Sequence, residues 1–139
     1  MDDRAPQATR PAGPDLRVHA WSLAYLFAVG ATLVVITVGF HQSAEQDEIA
    51  LLGLAVGAYI AAAVLRVGYR WLPAWTYHVF VALGTVLISF AIDLSGDGES
   101  AYAVFYFWVA IYSSYFFTRA QAIAHISLAA GAYAVVLWL

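Results

Sequence analysis

Five long apolar runs, separated by short polar links, dominate this sequence of 139 residues. The runs contain 17 to 23 residues each and lie at 18–40, 49–65, 74–92, 101–118 and 120–139. A helix of that length can cross a hydrocarbon core of about 30 Å, because each residue adds about 1.5 Å. Lipid offers no partners for unpaired peptide groups, so helices are favoured over an open sheet. The pattern predicts an all-α fold, a polytopic transmembrane helix bundle of about five spans with short loops.

The composition agrees with a membrane protein and excludes several other classes. Hydrophobic residues make up 63% of the chain and charged residues 11%, whereas an average soluble domain has about 45–50% and 25%. The absence of cysteine excludes disulfides and thiolate metal sites. The six basic residues are too scattered to follow a nucleic-acid backbone, so we expect no nucleic-acid partner.

The first 17 residues differ in composition from the rest of the chain. They are polar and contain three of the four prolines, so they cannot bury enough apolar area to fold alone. The first apolar run is longer than the 7–15-residue core of a signal peptide. We therefore expect a disordered tail at 1–17 and a transmembrane helical domain at 18–139.

The charged residues indicate how the spans are oriented. The basic residues are all arginines and fall in the tail and in the second and fourth links, at Arg4, Arg10, Arg17, Arg66, Arg70 and Arg119. The first and third links carry six acidic residues and no basic one. By the positive-inside rule, the N-terminus faces the cytoplasm of a bacterial plasma membrane, and the acidic links face outward.

A seam of small residues in the second run predicts close helix packing. Gly53, Gly57 and Ala61 recur at four-residue spacing and so share one helix face. Helices in lipid associate where small residues let their backbones approach closely. Packing within the bundle and homodimerisation through Gly53 and Gly57 remain as alternatives.

The fourth run is unusually aromatic and suggests a ligand pocket. The candidate lining residues are Tyr106, Trp108, Tyr112 and Tyr115. The hydroxyls of Tyr106 and Tyr112 lie well inside the span and need partners there, so part of this face should look into the bundle. A flat apolar ligand such as a quinone or a lipid is one interpretation; ordinary packing with interfacial aromatic residues is the other.

Histidines are the candidate cofactor-binding residues. His78 and His125 each lie about one turn inside the same end of their spans, and His19 begins the first span. Two facing imidazoles are what bis-histidine haem ligation requires. The alternative is a pair of interfacial histidines that bond to headgroups or to a neighbouring helix. We expect no resident metal ion.

The sequence offers little for catalysis or ion-coupled transport. No ionisable residue lies near the middle of a span, where proton relays usually have one. No nucleophile triad or glycine-rich phosphate loop is present. We therefore expect no catalytic residue and no enzymatic activity from this chain alone.

Two overlapping stretches carry a resemblance to a known family. They are WTYHVFVALGTVLISFAIDLSGDGESAYAVFYFW and AVFYFWVAIYSSYFFTRAQAIAHISLAAGAYAVVL. With the turn FFTRAQA, they resemble the N-terminal membrane region of actinobacterial GGDEF-type diguanylate cyclases, over about 21–139. The resemblance implies six helices before a cytoplasmic cyclase domain. A sixth helix and the GGDEF motif are absent, so we expect a fragment or shortened form.

Three functions therefore compete at the level of sequence. The first is a non-catalytic membrane sensor or anchor module of a cyclic-di-GMP signalling protein. The second is a small haem- or quinone-binding protein that uses His78 and His125, and the third is a minimal channel or carrier. The expected partners are the lipid bilayer, a second copy in a homodimer, and a cytoplasmic cyclase domain beyond the C-terminus.

Overall fold

A computed structural model of the protein describes residues 16–40, 47–95 and 101–138. The described chain contains a short 3-10 turn at Ala101–Ala103 and five α-helices: α1 (Leu16–Phe40), α2 (Glu48–Gly68), α3 (Ala74–Leu94), α4 (Val104–Phe116) and α5 (Arg119–Trp138). No strand occurs in these ranges. The predicted all-α fold is confirmed. The tail prediction lies outside the described residues, except that Leu16 and Arg17 already belong to α1.

Four of the five helices, α1, α2, α3 and α5, are long and apolar enough to cross a membrane. The fourth predicted span differs, because α4 has only 13 residues, or about 20 Å of helix. Its hydroxyls still connect both halves of the bundle: Tyr106 bonds to Ser89 late in α3, and Tyr112 bonds to the carbonyl of His19 early in α1. The fourth helix is therefore shorter than predicted but runs along most of the bundle.

Local capping explains where the helices begin and turn. Asp47 Oδ1 accepts a hydrogen bond from the backbone N–H of Ala50 at 3.0 Å, which caps α2. The backbone N–H of Asp47 also donates to the carbonyl of Leu94 at 3.3 Å, so the start of α2 lies beside the end of α3. Between α4 and α5 the chain reverses over two residues, and Phe117 there is extended, with φ −110° and ψ 163°.

The helices form two packing groups. α1 and α2 pack against each other more extensively than any other pair, and α3, α4 and α5 contact one another. Contacts between the α1–α2 pair and the α3–α5 group are fewer. The buried face of α2 consists of two leucines and four alanines: Leu51, Ala55, Ala58, Ala61, Ala62 and Leu65.

The predicted packing seam of α2 is only partly correct. Ala61 is buried, at 5% exposure. Gly53 and Gly57 are exposed, and a Cβ built at either would meet no other helix within 4 Å. Packing of these glycines within the bundle is therefore wrong for the described residues. The buried face of α2 is centred on positions 51, 55, 58, 62 and 65, so the glycines lie outside it.

Charged residues of the described chain segregate to opposite ends of the bundle. The arginine end carries Arg17, Arg66, Arg70 and Arg119, and the acidic end carries Asp47, Glu48 and Asp93. Arg17 and Arg119 lie in the first turns of α1 and α5. A cation is unfavourable there, because the helix dipole is positive at its N-terminus. The helix dipole therefore accounts for Asp47, Glu48 and Arg66 but not for Arg17 and Arg119.

Candidate functional site

His78 and His125 meet at the arginine end and join α3 to α5. His78 Nδ1 and His125 Nε2 are 3.0 Å apart, within hydrogen-bond distance. The ring centres are 5.3 Å apart and the ring planes differ by 8°. The distance between the ring centres exceeds the distance between the two nitrogens by about the width of one imidazole ring. Each nitrogen therefore points at the other ring, and both lie near the line that joins the ring centres. The two rings lie edge to edge in one plane, which is favourable geometry for an N–H···N hydrogen bond.

The ring of Phe117 packs over the pair and connects it to His19. The ring of Phe117 stacks on His78, with centres 4.2 Å apart, and lies 5.1 Å from His125. His19 stacks between Tyr77 at 4.3 Å and Phe116 at 4.6 Å. We call this group the histidine–aromatic cluster; its members are His19, Tyr77, His78, Tyr112, Phe116, Phe117 and His125.

The order of the helices explains why this cluster forms. α1, α3 and α5 begin at the arginine end and α4 ends there, so residues near those helix ends lie at one depth. The predicted common depth of His19, His78 and His125 follows directly. The short link between α4 and α5 adds a feature that the sequence analysis missed. Its extended residue, Phe117, has a side chain in contact with all three histidine rings.

Several polar atoms in or beside the cluster are buried. The hydroxyl of Tyr112 donates to the carbonyl oxygen of His19 at 3.2 Å. His19 Nε2, Tyr77 Oη and Ser113 Oγ have no hydrogen-bond partner among the described residues. Most buried polar atoms in proteins are paired, and each exception calls for a physical explanation. These three atoms are therefore the donors and acceptors that a water molecule or a small polar ligand would use.

The histidine pair fits a hydrogen bond better than a shared metal. Metal–imidazole bonds of about 2.0–2.1 Å place two opposed nitrogens about 4 Å apart. The observed 3.0 Å leaves no room for an iron or another ion on that line. The described residues also contain no group of three or more His, Cys, Asp or Glu side chains that could hold a metal ion. As arranged here, the pair matches the interhelical interpretation and not bis-histidine haem ligation.

The four aromatic pocket candidates do not share one site. Tyr106 is buried on the α3 and α5 side, where its hydroxyl lies 2.7 Å from Ser89 Oγ. Trp108 and Tyr112 line an apolar cavity instead. Tyr115 is 78% exposed and belongs neither to the surroundings of Tyr106 nor to the wall of the cavity. The buried face of α4 is centred on 105, 106, 112 and 113, so Trp108 and Tyr115 lie toward the exposed side of the helix.

The apolar cavity lies between the α1–α2 pair and helices α3 and α4. Its volume is about 90 Å³, and its wall includes Gly30 and Gly84. A Cβ at Gly84 would lie 3.5 Å from Phe27, and one at Gly30 would lie 4.0 Å from Phe105. Pockets for drug-sized ligands usually measure about 300–1,000 Å³, so this cavity is too small for a quinone as it stands. The sequence analysis pointed to this cavity through Trp108 and Tyr112 but not through these glycines.

Comparisons of this chain with protein-family models, with curated proteins and with solved structures found no match.

Proposed function

We propose that this chain is a membrane-embedded sensor and anchor module of a signalling protein, non-catalytic by itself. The observation that supports this proposal is the unequal packing of the spans. In the most apolar window of α5, 17% of residues are buried, against 33% in α1 and in α2. Only Ala122, His125 and Ala129 of α5 are buried. An element with few buried contacts changes position at low free-energy cost, so α5 is the helix suited to transmit a signal.

The histidine pair supplies a contact through which that movement is controlled. An N–H···N bond needs a proton on one nitrogen and a lone pair on the other. A proton on both of the facing nitrogens removes the acceptor, and displacement of Phe117 removes the ring that packs over both imidazoles. Either change weakens the link between α3 and α5. Protonation or a ligand at the cluster would thereby shift the position of α5.

The module has a defined orientation in this proposal. The arginine end faces the cytoplasm of a bacterial plasma membrane, and the chain crosses the bilayer several times. A cytoplasmic domain that makes cyclic di-GMP would be joined through one further span. The segregation of charge supports the orientation, and the sequence resemblance to GGDEF-type proteins supports the type of output.

The orientation is tested with single cysteines, which this cysteine-free chain makes straightforward. Position 70 lies at the arginine end, and position 97 lies in the third link. In whole cells, an impermeant thiol reagent is expected to label Asp97→Cys and not Arg70→Cys. The reverse labelling would contradict the orientation, and equal labelling after membrane permeabilisation is the control for reactivity.

The mobility of α5 is tested by the distance between spin labels in lipid nanodiscs. Labels at Val56 in α2 and Leu128 in α5 report on α5, and labels at Val29 and Val56 report on the α1–α2 pair. All three positions are exposed. We expect His125→Phe to broaden the 56–128 distance distribution and to leave the 29–56 distribution unchanged. The control is Ile123→Phe, at an exposed position of the same helix.

Signalling is tested by joining the chain through an added span to a GGDEF domain. We expect His125→Phe to change cyclic-di-GMP turnover and Ile123→Phe to leave it unchanged. Neither substitution touches the cyclase active site. If turnover equals that of the isolated soluble domain and ignores His125→Phe, the chain is an anchor and does not sense.

A further inference from the structure

Two arginines stack on one indole at the arginine end of the α1–α2 pair. The guanidinium carbon of Arg66 lies 3.4 Å from the ring centre of Trp21, and that of Arg17 lies 4.2 Å from it. Arg17 and Trp21 belong to α1, and Arg66 belongs to α2. Cation–π contacts stabilise each arginine, but they leave two positive charges against the same ring. An anion held by the Arg66 guanidinium group would offset that repulsion.

The chain itself supplies no such anion to Arg66 among the described residues. The described carboxylates, those of Asp47, Glu48 and Asp93, lie at the acidic end. The counter-charge of Arg66 therefore lies outside the residues that the structure describes.

A surface groove leads from Arg66 into the apolar zone. Its volume is about 240 Å³, and its lining residues are Ala24, Tyr25, Ala28, Ala62, Ala63 and Arg66. The groove opens to the outside of the bundle, because Tyr25 and Ala63 are exposed. Four alanines leave the space between α1 and α2 unfilled, and the Tyr25 side chain stands at its edge.

The depth of the groove matches that of a lipid at the membrane boundary. Arg66 lies in the last turn of α2, and Trp21 lies in the second turn of α1, where interfacial tryptophans are usual. Ala28 follows Trp21 by seven positions, which is about 10 Å deeper along the helix. The site is cationic at headgroup level and apolar below it.

We propose that this groove binds one anionic phospholipid. The phosphate lies against the guanidinium group of Arg66, and part of an acyl chain lies along the four alanines. Guanidinium groups present N–H donors in a planar fork that suits phosphate oxygens. Basic pockets between transmembrane helices are established sites for anionic headgroups. This site is separate from the histidine–aromatic cluster and does not depend on the sensor proposal.

The proposal is tested on the purified full chain by native mass spectrometry and thermal unfolding in detergent. The probes are phosphatidylglycerol, phosphatidylcholine and inorganic phosphate, each added separately. We expect phosphatidylglycerol to be retained and to stabilise the chain, and the other two to do neither. Equal retention of phosphatidylcholine, or equal stabilisation by inorganic phosphate, would overturn the proposal. The first result would show a groove without charge selectivity, and the second a site for free anions.

Two matched pairs of variants separate headgroup from chain recognition. Arg66→Gln should weaken phosphatidylglycerol binding about tenfold, since a charge-assisted hydrogen bond is lost. Arg70→Gln removes the same charge at the same end, where the Arg70 guanidinium lies 5.8 Å from the Tyr69 ring, and should change little. Ala63→Leu fills the groove and should weaken phosphatidylglycerol binding although Arg66 is intact. Val64→Leu lies outside the groove and should leave that binding unchanged.

All four variants are at exposed positions, and their unfolding without added lipid reports whether they fold normally. An equal loss of phosphatidylglycerol binding in Arg66→Gln and Arg70→Gln would mean that only net charge matters, and the proposed site would be wrong. Unchanged phosphatidylglycerol binding in Ala63→Leu would show that the acyl chain does not lie in the groove, and this result would also overturn the proposal.

Discussion

The α1–α2 pair and the α3–α5 group pack by different means. Buried alanines and leucines form most of the first interface, and the side-chain bond between Thr32 and Tyr59 across it is on exposed residues. The second group meets through aromatic rings and buried or half-buried bonds, including those of His78 with His125 and Tyr106 with Ser89. Small residues bring backbones together along a whole helix, whereas polar bonds hold helices at single points. A uniform interface resists movement, and a point contact can be broken to permit it.

Removal of a fully buried leucine from the α1–α2 pair should have the largest effect. Leu65 has 0% exposure, so Leu65→Ala leaves a void at the interface. We expect a loss of about 2 kcal/mol in the free energy of unfolding, the low end for such changes because lipid, like the core, is apolar. Leu52→Ala, at 42% exposure on the same helix, is the control. The measurement is unfolding in mixed micelles, and equal losses in both variants would place Leu65 at the lipid surface.

Loss of the histidine bond should cost less than loss of Leu65. A double-mutant cycle with His78→Phe and His125→Phe isolates the pair. We expect a coupling energy of about 0.6 kcal/mol, typical of interhelical hydrogen bonds in membranes, and at most about 1.7 kcal/mol. A coupling near zero would contradict the bond, and one well above this range would mean that α5 is not loosely held.

The smallest effect should come from the glycines of α2. Gly57→Leu points into open space, so the unfolding free energy should stay within about 0.5 kcal/mol of the original chain. Ala61→Leu, one turn along, should destabilise by about 1–3 kcal/mol, because that position is buried. If Gly57→Leu instead lowers stability in a concentration-dependent way, the exposed glycines form a homodimer contact.

Some features of the site followed from sequence and others did not. The common depth of His78 and His125 was predictable, since helix length and alternating direction determine it. Their in-line contact was not, because depth says nothing about which face of a helix a side chain occupies. The aromatic candidates show the same limit. Tyr106 and Tyr115 are equally polar in sequence, yet one is buried against α3 and the other is 78% exposed.

By itself, the sequence determined the helical class, the approximate limits of the spans and the segregation of charge. These properties depend on the length and hydropathy of single segments. Only the tertiary structure decided which helix faces meet, where the cavity and the groove lie, and that Gly57 is exposed while Ala61 is buried. The physical reason is the solvent. In water, a polar face marks the outside of a helix, but lipid is as apolar as the bundle interior, so packing alone selects the buried face.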